Sequence, residues 1–69
     1  MEYDKNLSCI QTDKGNGRKS DVSLGLAVDY LTHYFGMKKR KYVIETLLSG
    51  QPLQTSFNIY ELWNYSEED

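Results

Sequence analysis

One cysteine, one histidine and one proline are present in 69 residues, and their scarcity removes whole classes of structure. Cys9 is alone, so no internal disulfide can form. Cys9 and His33 together fall short of the four ligands of a structural zinc, so no metal and no cofactor is expected. A chain of this length buries only about 60% of the surface its unfolded form exposes, and small domains usually rely on such staples. Here side-chain packing must supply the stability, with a homodimer as the remaining support. Long apolar runs are also missing. No stretch approaches the ~20 residues needed to span a bilayer, and the polar segment from Met1 to Asp13 does not read as a secretory signal. The expectation is a cytoplasmic protein with no membrane partner. The sequons Asn6-Leu7-Ser8 and Asn64-Tyr65-Ser66 then carry no weight.

What the chain does have is rings and zoned charge. Aromatic residues make up 13% of it: six tyrosines, two phenylalanines and one tryptophan. Large rings fill a small core efficiently, and they are also favoured at interfaces. The net charge of −2 conceals two opposed blocks. Lys38, Lys39, Arg40 and Lys41 face only Glu45, which leaves residues 37–50 at +3. Glu61, Glu67, Glu68 and Asp69 bring residues 51–69 to −4. The two blocks could neutralise each other or serve separate partners.

Residues 1–69 read as one domain, with residues 1–20 as a polar arm or hairpin, 21–65 as the core and 66–69 as an acidic tail. Asn16-Gly17 is a strong hairpin signal, because both residues tolerate positive φ. Leu24, Ala27, Val28, Leu31, Tyr34 and Phe35 recur at helical spacing, with Ser20 or Asp21 as cap and Gly36 as stop. A strand pattern competes over residues 22–30, where Val22, Leu24, Leu26, Val28 and Tyr30 alternate with smaller or polar residues. The stripe continues to Phe35, where alternation fails, so the helix is preferred. Residues 37–49 read as a second helix with Val43, Ile44, Leu47 and Leu48 inward, closed by Gly50 and Pro52; a strand over 41–48 stays open. Residues 51–56 read as a polar loop. The run Phe57, Ile59, Tyr60, Leu62, Trp63 reads as a short helix, because Asn58 and Glu61 have the spacing of a capping pair. The fold class expected is mainly α, with α+β as the alternative: two central helices plus a C-terminal aromatic helix or strand.

No catalytic constellation emerges. His33 has Asp29 and Tyr30 one helical turn earlier, but no spacing brings a nucleophile to it. Gly15-Asn16-Gly17-Arg18-Lys19-Ser20 lacks the Gly-Lys step and the earlier glycine of a phosphate-binding loop, and is a charged turn. The protein is not expected to be an enzyme. Two binding readings remain. Tyr60, Trp63 and Tyr65 with Glu67 and Glu68 would form an aromatic and acidic patch that repels phosphate and suits a protein partner. That points to a small regulatory or inhibitory protein of the kind encoded by bacteria or bacteriophage. The alternative uses Lys38, Lys39, Arg40 and Lys41 against nucleic acid. Phe35-Gly36-Met37 would be the turn of a helix-turn-helix transcription regulator and Lys38 to Leu48 its recognition helix. Thr32 stands where that motif packs a small residue, Val43 comes one residue late, and a pI near 5.2 is acidic for a DNA binder.

Overall fold

The computed structural model describes residues 3–63. Its first organising element is the turn around Asn16-Gly17. Asp13 Oδ1 accepts from the backbone N–H groups of Gly15 (2.7 Å) and Asn16 (3.3 Å), and Asn16 Oδ1 accepts from Arg18 (2.8 Å). Gly17 adopts φ 74°, which a side chain would resist. This turn reverses β1 (Ser8–Asp13) into β2 (Lys19–Ser23). The chain then enters α1 (Leu24–Phe35) without a linker, because Ser23 is the N-cap and its Oγ accepts from Leu26 N at 3.2 Å. Gly36, at φ 109°, ends α1, and a single 3₁₀ turn over Met37–Lys39 leads into α2 (Arg40–Leu48).

A second hairpin closes the fold. Thr55 Oγ1 accepts from the N–H groups of Phe57 and Asn58, both at 3.1 Å, and turns β3 (Leu53–Gln54) into β4 (Asn58–Leu62). Lys14 clips the two hairpin turns together: its Nζ reaches Gln54 Oε1 (2.7 Å) and the Thr55 carbonyl (3.1 Å). The strands form one antiparallel sheet in the order β2-β1-β4-β3, with the first and last strands of the sequence, β1 and β4, adjacent at its centre.

The expectation of a mainly helical domain is therefore corrected. The described residues are 39% helix and 30% strand, and the two helices pack on a four-stranded sheet as well as on each other. Three local readings account for the error. Val22 and Ser23 finish a strand, so alternation was real up to the cap and helical periodicity real after it. The cap is Ser23, not Ser20 or Asp21. Residues 58–62, left between helix and strand with the capping pair favouring a helix, are β4, and Leu53–Gln54 is a strand where a loop was expected.

Register sets which side chains meet the helices. Cys9 lies opposite Leu62 and Val22, and Gln11 opposite Tyr60. Cross-strand partners share a face, so Cys9, Gln11, Val22, Tyr60 and Leu62 lie on the inner face. Cys9, Tyr60 and Leu53 from the sheet join Leu24, Ala27, Val28 and Leu31 of α1 and Val43, Ile44 and Leu47 of α2 in one buried cluster. Thr32 is the odd member. It is 4% exposed, and its hydroxyl has no hydrogen-bond partner among the described residues. An unsatisfied buried hydroxyl costs about 1–3 kcal/mol.

Two stability outcomes follow for urea denaturation followed by far-UV circular dichroism. Leu47→Ala should lower stability by ~2–5 kcal/mol, whereas Met37→Ala, at a site 75% exposed, should change it by less than about 0.5 kcal/mol. Thr32→Val keeps the shape and removes the orphan hydroxyl, so it should raise stability by about 1 kcal/mol. A loss of that size instead would mean the hydroxyl is satisfied in solution.

Candidate binding surfaces

With both helices on one side, the other side of the sheet has no cover among the described residues. Register assigns it Ser8, Ile10 and Thr12 from β1, Lys19 and Asp21 from β2, and Ile59 and Glu61 from β4. Trp63 joins them. Its backbone N–H donates to the Ser8 carbonyl at 2.8 Å, which continues the β4 ladder by one residue and turns the indole to this outer face. Ile10, Lys19, Ser20, Asp21 and Trp63 line a depression of about 250 Å³ there. Ile10 and Ile59 are half-buried and Trp63 is 40% exposed, so the face carries an apolar strip edged by charges of both signs.

A second surface lies between α1 and the edge strand β2. Val22, Leu26, Ala27, Tyr30 and Tyr60, with Gln11, Asp29 and His33, line a groove of about 380 Å³ with a predominantly apolar wall. The Tyr30 and Tyr60 rings meet at 5.6 Å, tilted by 44°. Gln11 Nε2 donates to the Tyr60 hydroxyl at 2.7 Å, which lets a phenol end in the core without an orphan oxygen. Burial raises the Tyr60 phenol above its ordinary pKa, the Gln11 hydrogen bond opposes this, and Tyr30 adds to it.

The residues expected from the sequence are thus divided. Of the aromatic patch, Tyr60 lies in the core at 2% exposure and Trp63 lies on the outer face; the inner and outer faces of the sheet separate them. Tyr65, Glu67 and Glu68 lie outside the described residues. Lys38, Lys39 and Lys41 are exposed around the start of α2, and Arg40 is half-buried. Two of them lie over rings: Lys39 Nζ is 5.8 Å from the Tyr42 centroid, and the Arg40 guanidinium is 5.8 Å from that of Tyr3. No acidic residue occupies the first turn of α2. Ile10 has no part in the site readings from the sequence, and Lys19, Asp21 and Ile59 enter the sequence readings as parts of a charged turn, a helix cap and an aromatic run, not as site residues. The alternation of Ile10 with Cys9 and Gln11 is the signal that finds this face.

His33 lies at the groove with Asp29, and Cys9 lies in the core with no exposed surface. Burial pushes the Cys9 thiol up to about 11, the opposite of what a nucleophile requires. No cluster of metal-ligating side chains occurs among the described residues, and no described helix is long and apolar enough to cross a membrane. No protein-family model, curated protein or solved structure matches the chain.

The Cys9 shift has a signed consequence. The folded thiol titrates above its ordinary value near 9, so folding opposes thiolate formation. The full stability is present below pH 9 and declines as pH rises from 9 towards 11, at up to about 1.4 kcal/mol per pH unit from this group. Tyrosines and lysines titrate in the same range, so the measurement is the difference between wild type and Cys9→Ala in urea denaturation. That difference should change with pH only above about 9. A constant difference from pH 7 to 11 would refute the assignment.

Proposed function

We propose that this is a non-enzymatic regulatory or inhibitory protein, of the kind encoded by bacteria or bacteriophage, that acts by binding a protein partner across the open face of its sheet. The observation that carries the reading is the one-sided cover of the sheet. Ile10, Ile59 and Trp63 form an apolar strip on the outer face, framed by Lys19, Asp21 and Glu61. A tryptophan flanked by β-branched residues and a charged rim has the composition of an interface centre, in which one or two aromatic anchors carry most of the binding energy. The mixed rim favours protein over nucleic acid, because its two carboxylates repel phosphate. The buried, protonated Cys9 thiol supports the non-enzymatic part of the reading.

A second reading draws on the other end of the molecule. Lys38, Lys39 and Lys41 are exposed beside a helix start that carries no acidic residue, and this supports nucleic acid as an alternative ligand for that block. Cations at a helix N-terminus oppose the macrodipole by roughly 0.3–1 kcal/mol each, so phosphate there would relieve a cost. The helix-turn-helix geometry is not needed for this; the cluster of charge is enough.

The immobilised chain, exposed to extract of the encoding organism with and without nuclease, separates the two. Retention should survive nuclease and survive replacement of Lys38, Lys39, Arg40 and Lys41 by Gln. Trp63→Ala should weaken it by at least about 2 kcal/mol, while costing less folding stability than Leu47→Ala. Retention that vanishes with nuclease, or with the four Gln substitutions, would transfer the function to the basic block. Unfolding of Trp63→Ala would place the indole in the structural core and remove it as an anchor.

A further inference from the structure

The sheet has two edges. On one side β3 is two residues long; on the other β2 offers five, Lys19 to Ser23, with β1 as its only neighbour in the sheet among the described residues. Which backbone groups of β2 face outward follows from the ends of its ladder with β1. Asp13 N–H donates to the Arg18 carbonyl (2.8 Å), and Leu24 N–H donates to the Leu7 carbonyl (2.7 Å). Antiparallel bonding alternates residue by residue. Arg18, Ser20, Val22 and Leu24 therefore direct their main-chain groups at β1, while Lys19, Asp21 and Ser23 direct theirs away from it, at the open edge. Immediately beside this edge, on the helix side, runs the apolar groove of Val22, Leu26, Tyr30 and Tyr60. Leu26, 64% exposed, projects from the first turn of α1 directly after the strand. An unpaired strand edge next to an apolar groove is the combination that captures another strand.

We infer that the occupant is a second copy of this chain, with β2 pairing antiparallel to β2 of its partner about a two-fold axis at Ser20. Charge selects both the occupant and the register. Only residues with outward main-chain groups can face each other in hydrogen-bonded pairs, so the two-fold alignments are few. Placing Lys19 opposite Lys19 or Asp21 opposite Asp21 sets like charges against each other, which destabilises a strand pair, and centring the axis on Val22 sets Asp21 opposite Ser23 with no unlike pair to gain. The intermediate alignment sets Lys19 of each copy opposite Asp21 of the other, makes two unlike pairs, and lets each pair exchange both of its N–H to carbonyl bonds. Ser20 then meets Ser20 at the axis, where two small hydroxyl side chains fit. The same axis leaves both α1 helices on one side of a continuous eight-stranded sheet, and the Leu26 and Tyr30 groove of each copy opens towards the other. A single cysteine allows no internal disulfide, no cluster of metal-ligating side chains occurs among the described residues, and the dimer supplies what such supports contribute to a small core. Its outer faces would be coplanar and contiguous, with the two Trp63 strips repeated by symmetry.

The inference stands apart from the proposed partner on the outer face, because Leu26 and the β2 edge are not part of the Trp63 strip. Its test is sedimentation equilibrium of the full chain from about 1 μM to about 1 mM. The expected mass is twice the 8.0 kDa of the chain at the upper concentrations. Lys19→Asp puts carboxylates at both charged positions and Asp21→Lys puts amines at both, so each variant alone should dimerise at least about tenfold more weakly. Mixed in equal amounts they should form a heterodimer, since every opposed pair is again unlike; a loss of dimer through simple misfolding would not be rescued this way. Leu26→Asp should weaken the dimer by at least about tenfold with an unchanged circular dichroism spectrum. Monomer mass throughout, as expected if the edge receives a foreign strand, would overturn the inference. So would a dimer that ignores all three substitutions, or single variants that fail to complement each other.

Discussion

The pairing of β1 with β4 is the interaction on which the rest of the molecule depends. It joins Cys9 to Leu62 and Gln11 to Tyr60, partners about fifty residues apart, and it converts two local hairpins into one sheet. Without it neither hairpin has a hydrophobic partner large enough to persist, since isolated two-stranded ribbons are marginal in water. The same pairing creates the floor on which the helices rest. Cys9 and Tyr60 lie on the inner face of its two central strands, and Val28, Leu31, Ile44 and Leu47 close over them. Forming such a contact early is costly, because a long loop must be ordered first. The Asp13–Arg18 turn and the contiguous β2–α1 joint reduce what must be searched, by building β1, β2 and α1 as a local unit.

What could be read in the amino-acid sequence was whatever is decided locally. The stripe of Leu24, Ala27, Val28 and Leu31 predicts α1 because a helix makes its own hydrogen bonds, and the same holds for Val43, Ile44 and Leu47 in α2. Asn16-Gly17 predicts a turn because its cause lies in two residues. The strands of the second hairpin are different. Leu53 and Gln54 show no pattern, and residues 58–62 contain a plausible helix cap in Asn58 and Glu61. They are a strand because β1 offers a ladder to them, a cause located at the far end of the chain. That single non-local fact changed the fold class from helical to α+β.

The site was partly readable for the same reason. The exposure of Lys38, Lys39 and Lys41 follows from charge, and charge is visible in the composition. The separation of Tyr60 from Trp63 does not follow from anything near them. In a helix the two residues would share a face, being three apart; in a strand an odd spacing puts them on opposite faces. The misassigned element therefore led directly to the misjoined patch. Tyr60 became the core residue whose hydroxyl Gln11 satisfies, and Trp63 became a residue of the open face. Lys19, part of a charged turn in the sequence, and Asp21, a candidate helix cap there, gain their meaning only because β2 is an edge.

A two-layer fold of this size buries one face of its sheet and leaves the other without a layer of its own. The apolar area that a chain of this size can hide is largely used by a single helix layer, so among the described residues Ile10 and Ile59 have no second layer to lie against. Natural sheets commonly protect such surfaces by dispersing charge among the apolar residues and along the edges. Lys19, Asp21 and Glu61 do this on the outer face. Yet dispersal is not neutralisation. The alternation of sign between Lys19 and Asp21 along one strand discourages a random strand from docking while remaining complementary to its own two-fold image. A run of lysines would have repelled every copy, and a run of uncharged residues would have accepted any strand. The particular order of signs on β2 therefore works as a filter, and it is at the edge, where main-chain groups are available to all comers, that such a filter has most effect.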